Sequence, residues 1–222
     1  MPAHVRRLLV VSGGSLVAFF LVVAAWQRLP GVTQLDEAVS SRLNAHAQAS
    51  STTVDLFLAV TFLGTSRCLI WMSVGIVAIL LVLGHWRFSA AWTVTQLVSI
   101  VLIEHVKSAF ARSRPPYNGM FTIEDSYSFP SGHALGSIVT FGMIAYLVRI
   151  GWSQAAWQRI GIGVCITLIA LIGFSRVYLG VHYLSDVVAG YLLGAAWLAF
   201  AIALIEDIRG HYGRPSAGTV GQ

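Results

Sequence analysis

S-R-V-Y-L-G-V-H-Y-L-S-D, residues 175–186, sets a guanidinium, an imidazole and a carboxylate between two apolar runs, Ile160 to Phe174 and Tyr183 to Ile205. The runs read as membrane spans and the stretch as their connection. His182 and Asp186 are four residues apart, so a helical segment brings the carboxylate within reach of a ring nitrogen. A carboxylate that holds one nitrogen leaves the other free as nucleophile or base. Arg176 adds a fixed charge with a planar fork of donors suited to phosphate. Taken alone, the same residues read equally well as a satisfied polar pair or as metal ligands.

Of the 222 residues, 56% are hydrophobic and 10% charged, against roughly 25% charged in a typical soluble domain, and mean hydropathy is +0.75. Such a chain is an integral membrane protein. The net charge of +5 comes from scattered arginines and a single lysine, Lys107, which gives no support to a nucleic-acid partner. Cys68 and Cys165 have no C-x-x-C spacing and read as small buried hydrophobes.

Outward from residues 175–186, the chain divides into an all-α bundle of about six spans. Leu8 to Trp26 is the first, retained rather than cleaved, because the run is long for a signal peptide. From Thr33 to Asn44, Leu35, Val39 and Leu43 recur every four residues, which predicts an amphipathic helix at the interface. Val54 to Leu63 continues that surface structure as far as Gly64. Further spans are expected from Cys68 to Leu83, from Ala90 to Val106, from Pro130 to Val148, and over the two runs already named. Ser108 to Arg114 prolongs the third span as an amphipathic helix that stops at Pro115-Pro116. Residues 1–208 are expected to form one membrane-embedded domain and 209–222 a polar, disordered tail. Gly190 and Gly194 make a G-x-x-x-G face expected to pack within the chain, so no oligomeric state is assigned.

Two spans separate the loop after Lys107 from the connection at Arg176, so both emerge on one membrane face. Arg6, Arg7, Arg87, Arg149, Arg159, Arg209 and Arg214 fall on one side, and Arg28, Arg42, Arg67, Lys107, Arg112, Arg114 and Arg176 on the other. Discounting Lys107, Arg114 and Arg176 as held by a site breaks this tie. The site then faces the periplasm or exterior of a cell whose inner (plasma) membrane the chain crosses.

Three clusters share that face. Lys107 and Arg114, seven apart, are expected on one stripe of a helix leaving the membrane, where the plain alternative is snorkelling. Pro130-Ser131-Gly132-His133 is a helix start whose amides suit an anion, with Gly132 allowing close approach. Arg176, His182 and Asp186 complete the set. Three cations, a helix N-terminus and two histidines describe an oxyanion site rather than a site for a divalent cation. His182, backed by Asp186, would attack phosphorus, and His133 would protonate the leaving oxygen and then activate water. Lys107, Arg114, Arg176, Ser131 and the Gly132 amide would stabilise the equatorial oxygens.

K-x6-R-P (Lys107 to Pro115), P-S-G-H (Pro130 to His133) and S-R-x5-H-x3-D (Ser175 to Asp186) resemble without departure the signatures of the type 2 phosphatidic acid phosphatase superfamily. That superfamily includes vanadium-dependent haloperoxidases and bacterial phosphatidylglycerophosphate and undecaprenyl diphosphate phosphatases. The resemblance implies a six-span, metal-independent lipid phosphatase without a cofactor, carrying the roles just given residue for residue. Undecaprenyl diphosphate is the leading substrate, with phosphatidylglycerophosphate, phosphatidate or a lipid A phosphate as alternatives. A haloperoxidase, a two-histidine metal site, a serine hydrolase using Ser131 and a silent lipid transporter fit less well. The loop Tyr117 to Phe129, with Met120, Phe121 and Tyr127, is expected to act as a lid touching the lipid chain.

Overall fold

Proline fixes the first corner of the chain. Helix α1, Ala3–Arg28, stops at Leu29, which Pro30 holds extended (φ −110°, ψ 105°), and Pro30 opens α2, Pro30–Gln48, where its missing N–H leaves no bond unmade. The computed structural model describes residues 1–212. Among them the chain continues through α3 (Ser51–Phe62), α4 (Ser66–Val82), α5 (Trp86–Phe110), α6 (Gly132–Gly151), α7 (Ala155–Tyr178) and α8 (Leu184–Tyr212), with no strand. Helices α1, α5, α6, α7 and α8 are each long and apolar enough to cross a membrane. Helices α3 and α4, bent by 44° at their break, pass the same test as a pair, which gives five to six candidate spans among the described residues.

That bend corrects the surface assignment of Val54 to Leu63. Helix α3 leans on α7, with the Phe57 ring 4.5 Å from Tyr178 and 5.3 Å from Phe174 between centroids. Gly64 permits the turn into α4, because a Cβ there would stand 2.5 Å from Ile172 Cγ2 and 3.1 Å from His133 Cδ2. A broken span is tolerated at this depth because the irregular backbone borders a cavity rather than lipid.

Helices α1 and α8 pack antiparallel, bringing His4 within 3.6 Å of Glu206 at one end of the bundle. The other end carries α2, the segment 111–131 and the turn 179–183. The small face of α8 lies against α6 of the same chain. A Cβ at Gly190 would stand 2.5 Å from the Ser131 carbonyl oxygen, and one at Gly194 would stand 3.1 Å from that of Leu135. This within-chain packing is the one expected from the G-x-x-x-G spacing.

One expectation is extended and another is overturned. On α2 the buried stripe is Asp36, Ser40, Asn44 and Ala47, while Leu35 is 55% exposed. Val39 and Leu43 of the expected stripe do pack on the bundle, and the polar stripe one residue along is buried more deeply beside them. Helix α5 stops at Phe110 instead of running on to Arg114. Ala111 takes a left-handed conformation (φ 44°) and closes the last turn by donating its N–H to the Lys107 carbonyl at 2.9 Å. Lys107 and Arg114 therefore do not share a helical stripe. Residues 209–212 belong to α8, and the remainder of the expected tail, 213–222, lies outside the described residues.

Candidate active site

The left-handed turn at Ala111 lets the chain fold back over the bundle end, and the returning segment meets Lys107 from above. Lys107, in the last turn of α5, donates from Nζ to Ser126 Oγ at 2.7 Å. Arg114 binds the same segment, donating from Nε to the Ser126 carbonyl at 2.6 Å and from Nη1 to the Val181 carbonyl at 2.8 Å. The two cations thus converge through the loop and not along a helix.

His182 lies in the turn before α8, so its contact with Asp186 does not come from a shared helical face. The chain reaches the same pairing by another route, with Nδ1 3.5 Å from Asp186 Oδ2. Ser128 Oγ touches both, donating to Oδ2 at 2.5 Å and lying 3.4 Å from Nδ1. Asp186 also accepts the Tyr183 N–H at 2.9 Å, as a carboxylate in the first turn of a helix commonly does. Arg114 Nη1 approaches His182 Nε2 at 3.2 Å. A guanidinium carries donors only, so Nε2 is the accepting nitrogen and the ring proton resides on Nδ1, toward Asp186. Burial first, and then the charges of Arg176, Arg114 and Lys107, push the imidazole well below the usual histidine value. At neutral pH, Nε2 keeps its lone pair.

Arg176 and His133 approach from α7 and α6. Arg176 is 1% exposed and donates from Nη1 to Thr61 Oγ1 at 2.7 Å and from Nη2 to Glu124. Its Nε and the His133 Nε2 are buried without any partner in the protein. Orphaned nitrogens of this kind beside three cations fit a missing oxyanion. Ser131 caps α6, accepting the Ala134 N–H at 3.5 Å, and is fully buried. Gly132 and His133, not Ser131, line the space in front of Lys107 and His182. Among the described residues, no three His, Cys, Asp or Glu side chains are grouped to hold one ion, so His133, His182 and Asp186 do not form the two-histidine metal set.

This space is the head of a cavity of about 560 Å³ that runs between α4 and α5 from His182 past Gly136, Ser99 and Ser73 to Trp92. Only Glu124 and Ser126 of the loop border it. The expected lid contacts are not made: Met120 and Tyr127 are about half exposed, Phe121 packs on the Tyr178 and Leu179 cluster, and Phe129 stacks on Trp26 in the core.

The sequence pattern of the PAP2 superfamily matches residues 84–209, which include Lys107, Arg114, Gly132, His133, Arg176, His182 and Asp186 and the α5 and α6 sides of the cavity. The chain belongs to the PAP2 superfamily. Among its PAP2 relatives, phosphatidylglycerophosphatase B of Bacillus subtilis (strain 168) is 31% identical, over 81% of this chain and 88% of that one. An undecaprenyl-diphosphatase of Sulfolobus acidocaldarius is 30% identical, over 86% and 90% of the two chains. The crystal structure of a transmembrane PAP2-type phosphatidylglycerolphosphate phosphatase from Bacillus subtilis superposes with a TM-score of 0.81 at 26% identity, covering 89% of this chain and 96% of the other. The protein is therefore a multi-pass membrane lipid phosphatase of the PAP2 type, a hydrolase of phosphate esters.

The structure brings the expected Lys107, Arg114, Gly132, His133, Arg176, His182 and Asp186 to one end of the cavity, and adds contacts from Asp36, Thr61, Arg112, Ser126, Ser128 and Ser185 that were not expected from the sequence. One signal for Asp36 was present. Asp36, Ser40 and Asn44 repeat every four residues on α2, in parallel with Leu35, Val39 and Leu43.

Proposed function

We propose that the PAP2 site transfers the terminal phosphoryl group of a membrane lipid to water through His182. The Nε2 lone pair attacks phosphorus, the bond from phosphorus to the leaving oxygen breaks, and His133 gives that oxygen a proton. Water then attacks the phosphohistidine, with His133 taking its proton, and phosphate leaves as the neutral imidazole is restored. Lys107, Arg114, Arg176 and the Gly132 amide hold the three equatorial oxygens, while Ser131 acts by fixing the start of α6. The observation that carries this reading is the pairing of an unprotonated Nε2 with buried cations and two orphaned nitrogens at the head of one cavity.

The cavity between α4 and α5 supports a lipid whose chain lies in the membrane while its phosphate faces His182. Undecaprenyl diphosphate is the substrate we put first, and phosphatidylglycerophosphate, the substrate named for the Bacillus relatives, is the second reading. An outward-facing site in the plasma membrane fits the charges. With Arg112 also bound inside the site, the remaining cations of the described residues are Arg6, Arg7, Arg87, Arg149, Arg159 and Arg209 at one end against Arg28, Arg42 and Arg67 at the other.

Phosphate release by purified protein from a panel of lipid mono- and diphosphates tests the substrate, and His182→Ala tests the chemistry. Ser73→Phe, which fills the cavity far from His182, is expected to slow long-chain lipids while leaving p-nitrophenyl phosphate unaffected. Unchanged lipid hydrolysis by His182→Ala overturns the mechanism. Equal effects of Ser73→Phe on both substrates overturn the chain assignment.

A further inference from the structure

Asp186 is held by more than His182. Its Oδ1 accepts from Arg112 Nη1 at 2.5 Å, and the same guanidinium donates from Nη2 to Asp36 Oδ2 at 2.8 Å. Arg112 is 8% exposed, Asp36 2% and Asp186 0%. The guanidinium carbon lies 4.6 Å from the Trp26 ring centroid and 4.4 Å from that of Tyr183, so aromatic faces from α1 and the turn before α8 fix its plane. Asp36 also accepts the Ser185 N–H at 2.9 Å and the Ser185 hydroxyl, which ties α2 to the first turn of α8, the turn that carries Asp186. Burying an additional charged pair is costly, and a clamp serving the fold alone would be met by apolar packing.

Carboxylate, guanidinium and carboxylate together carry one net negative charge. How Arg112 divides between its two partners sets how much of that charge Asp186 presents to His182. We infer that Arg112 and Asp36 are positioning residues for the nucleophile: Arg112 keeps Asp186 ionised and aimed at His182 Nδ1, and Asp36 limits how far Arg112 neutralises it. The inference rests on His182 being the nucleophile. The other charged and titratable groups facing His182 are Lys107 from α5, His133 from α6, Arg176 from α7 and Arg114 from the loop, with Glu124 across the two arginines.

The test is kcat and kcat/KM against pH for purified full-length protein acting on phosphatidate in detergent micelles, where the substrate's own titration is common to all variants. Arg112→Gln leaves two buried carboxylates without a cation between them, so more negative charge faces His182 and its imidazole protonates more readily. The acid limb of kcat/KM is expected to move up by about one pH unit, and kcat to fall on the order of 100-fold. Asp36→Asn lets Arg112 settle wholly on Asp186, so the limb is expected to move down, with kcat lower by about tenfold. The double variant is expected to return the limb toward wild type and to regain part of the kcat lost in Arg112→Gln. A purely structural clamp would lower activity alike at every pH, and the double variant would then be worse than either single.

Acid limbs unmoved in both single variants, or kcat within about threefold of wild type in both, overturn the inference. If Arg112→Gln does not fold, the direction of the Asp36→Asn shift decides. His182→Ala separates the two readings. Its loss of hydrolysis together with unmoved limbs overturns the positioning role alone, whereas hydrolysis that persists overturns the nucleophile assignment.

Discussion

In the proposed mechanism, Glu124 occupies the ground an incoming phosphate has to take. Its carboxylate bonds Arg176 through Oε1, and its Oε2 lies 4.0 Å from Arg114, so an internal anion already sits across two of the three cations. Replacing it by glutamine keeps the size of the side chain and removes the charge. A hydrogen bond to a charged group contributes about 1.5–3 kcal/mol, and because the Glu124 side chain is 27% exposed the lower end applies. Phosphate that has to displace only a neutral amide oxygen from Arg176, and no longer a carboxylate, should bind tighter by up to about 1.5 kcal/mol, or roughly tenfold. The assay is competitive inhibition of lipid hydrolysis by inorganic phosphate, measured for wild type and Glu124→Gln at the same pH and salt. Inhibition constants that are equal, or higher for the variant, would refute the reasoning and make Glu124 a support for Arg176 rather than a competitor of substrate.

Three further outcomes follow from the geometry. Protonation removes the Nε2 lone pair, and burial holds the folded His182 below about 6.5, so activity should be flat through neutral pH with the acid limb of kcat/KM below that value; a limb at or above it, corrected for the substrate's own titration, counts against His182. The same depressed value sets the sign for stability. The unfolded chain takes up the proton first, so the contribution of His182 is complete above about 6.5 and is lost as pH falls through the lower folded value, which thermal unfolding between pH 7.5 and pH 5 would reveal. Gly190→Ala pushes a methyl to 2.5 Å from the Ser131 carbonyl and should destabilise the α6–α8 contact by about 1–3 kcal/mol, whereas Gly13→Ala, facing open space, should leave the midpoint of thermal unfolding unchanged.

Much of the site was legible because its residues stand at chain positions that topology alone brings together. Lys107, His133 and His182 are each within a few residues of a span boundary. Parity requires those boundaries to share one membrane face, wherever the helices sit relative to one another. The lid was misread because Phe121, Tyr127 and Phe129 look alike as interfacial aromatics. Phe129 is drawn into the core by stacking 5.0 Å from Trp26, a residue more than a hundred positions earlier, and nothing local to the loop records that partner.

Span length and apolarity are properties of a segment by itself, since a run of some twenty apolar residues has one favourable setting in a bilayer. The sequence by itself therefore determined the helical membrane bundle, the common face of the three motifs and the anionic character of the ligand. Which stripe of α2 lies deepest was decided by what it packs against. Two stripes one residue apart both face the bundle, and the polar one is buried more deeply because the bundle presents it with Arg112 and the first-turn amide of Ser185. The partners of Arg112 were likewise settled in three dimensions. Neither carboxylate lies near it in sequence, and only the left-handed turn at Ala111 brings its guanidinium between Asp36 and Asp186.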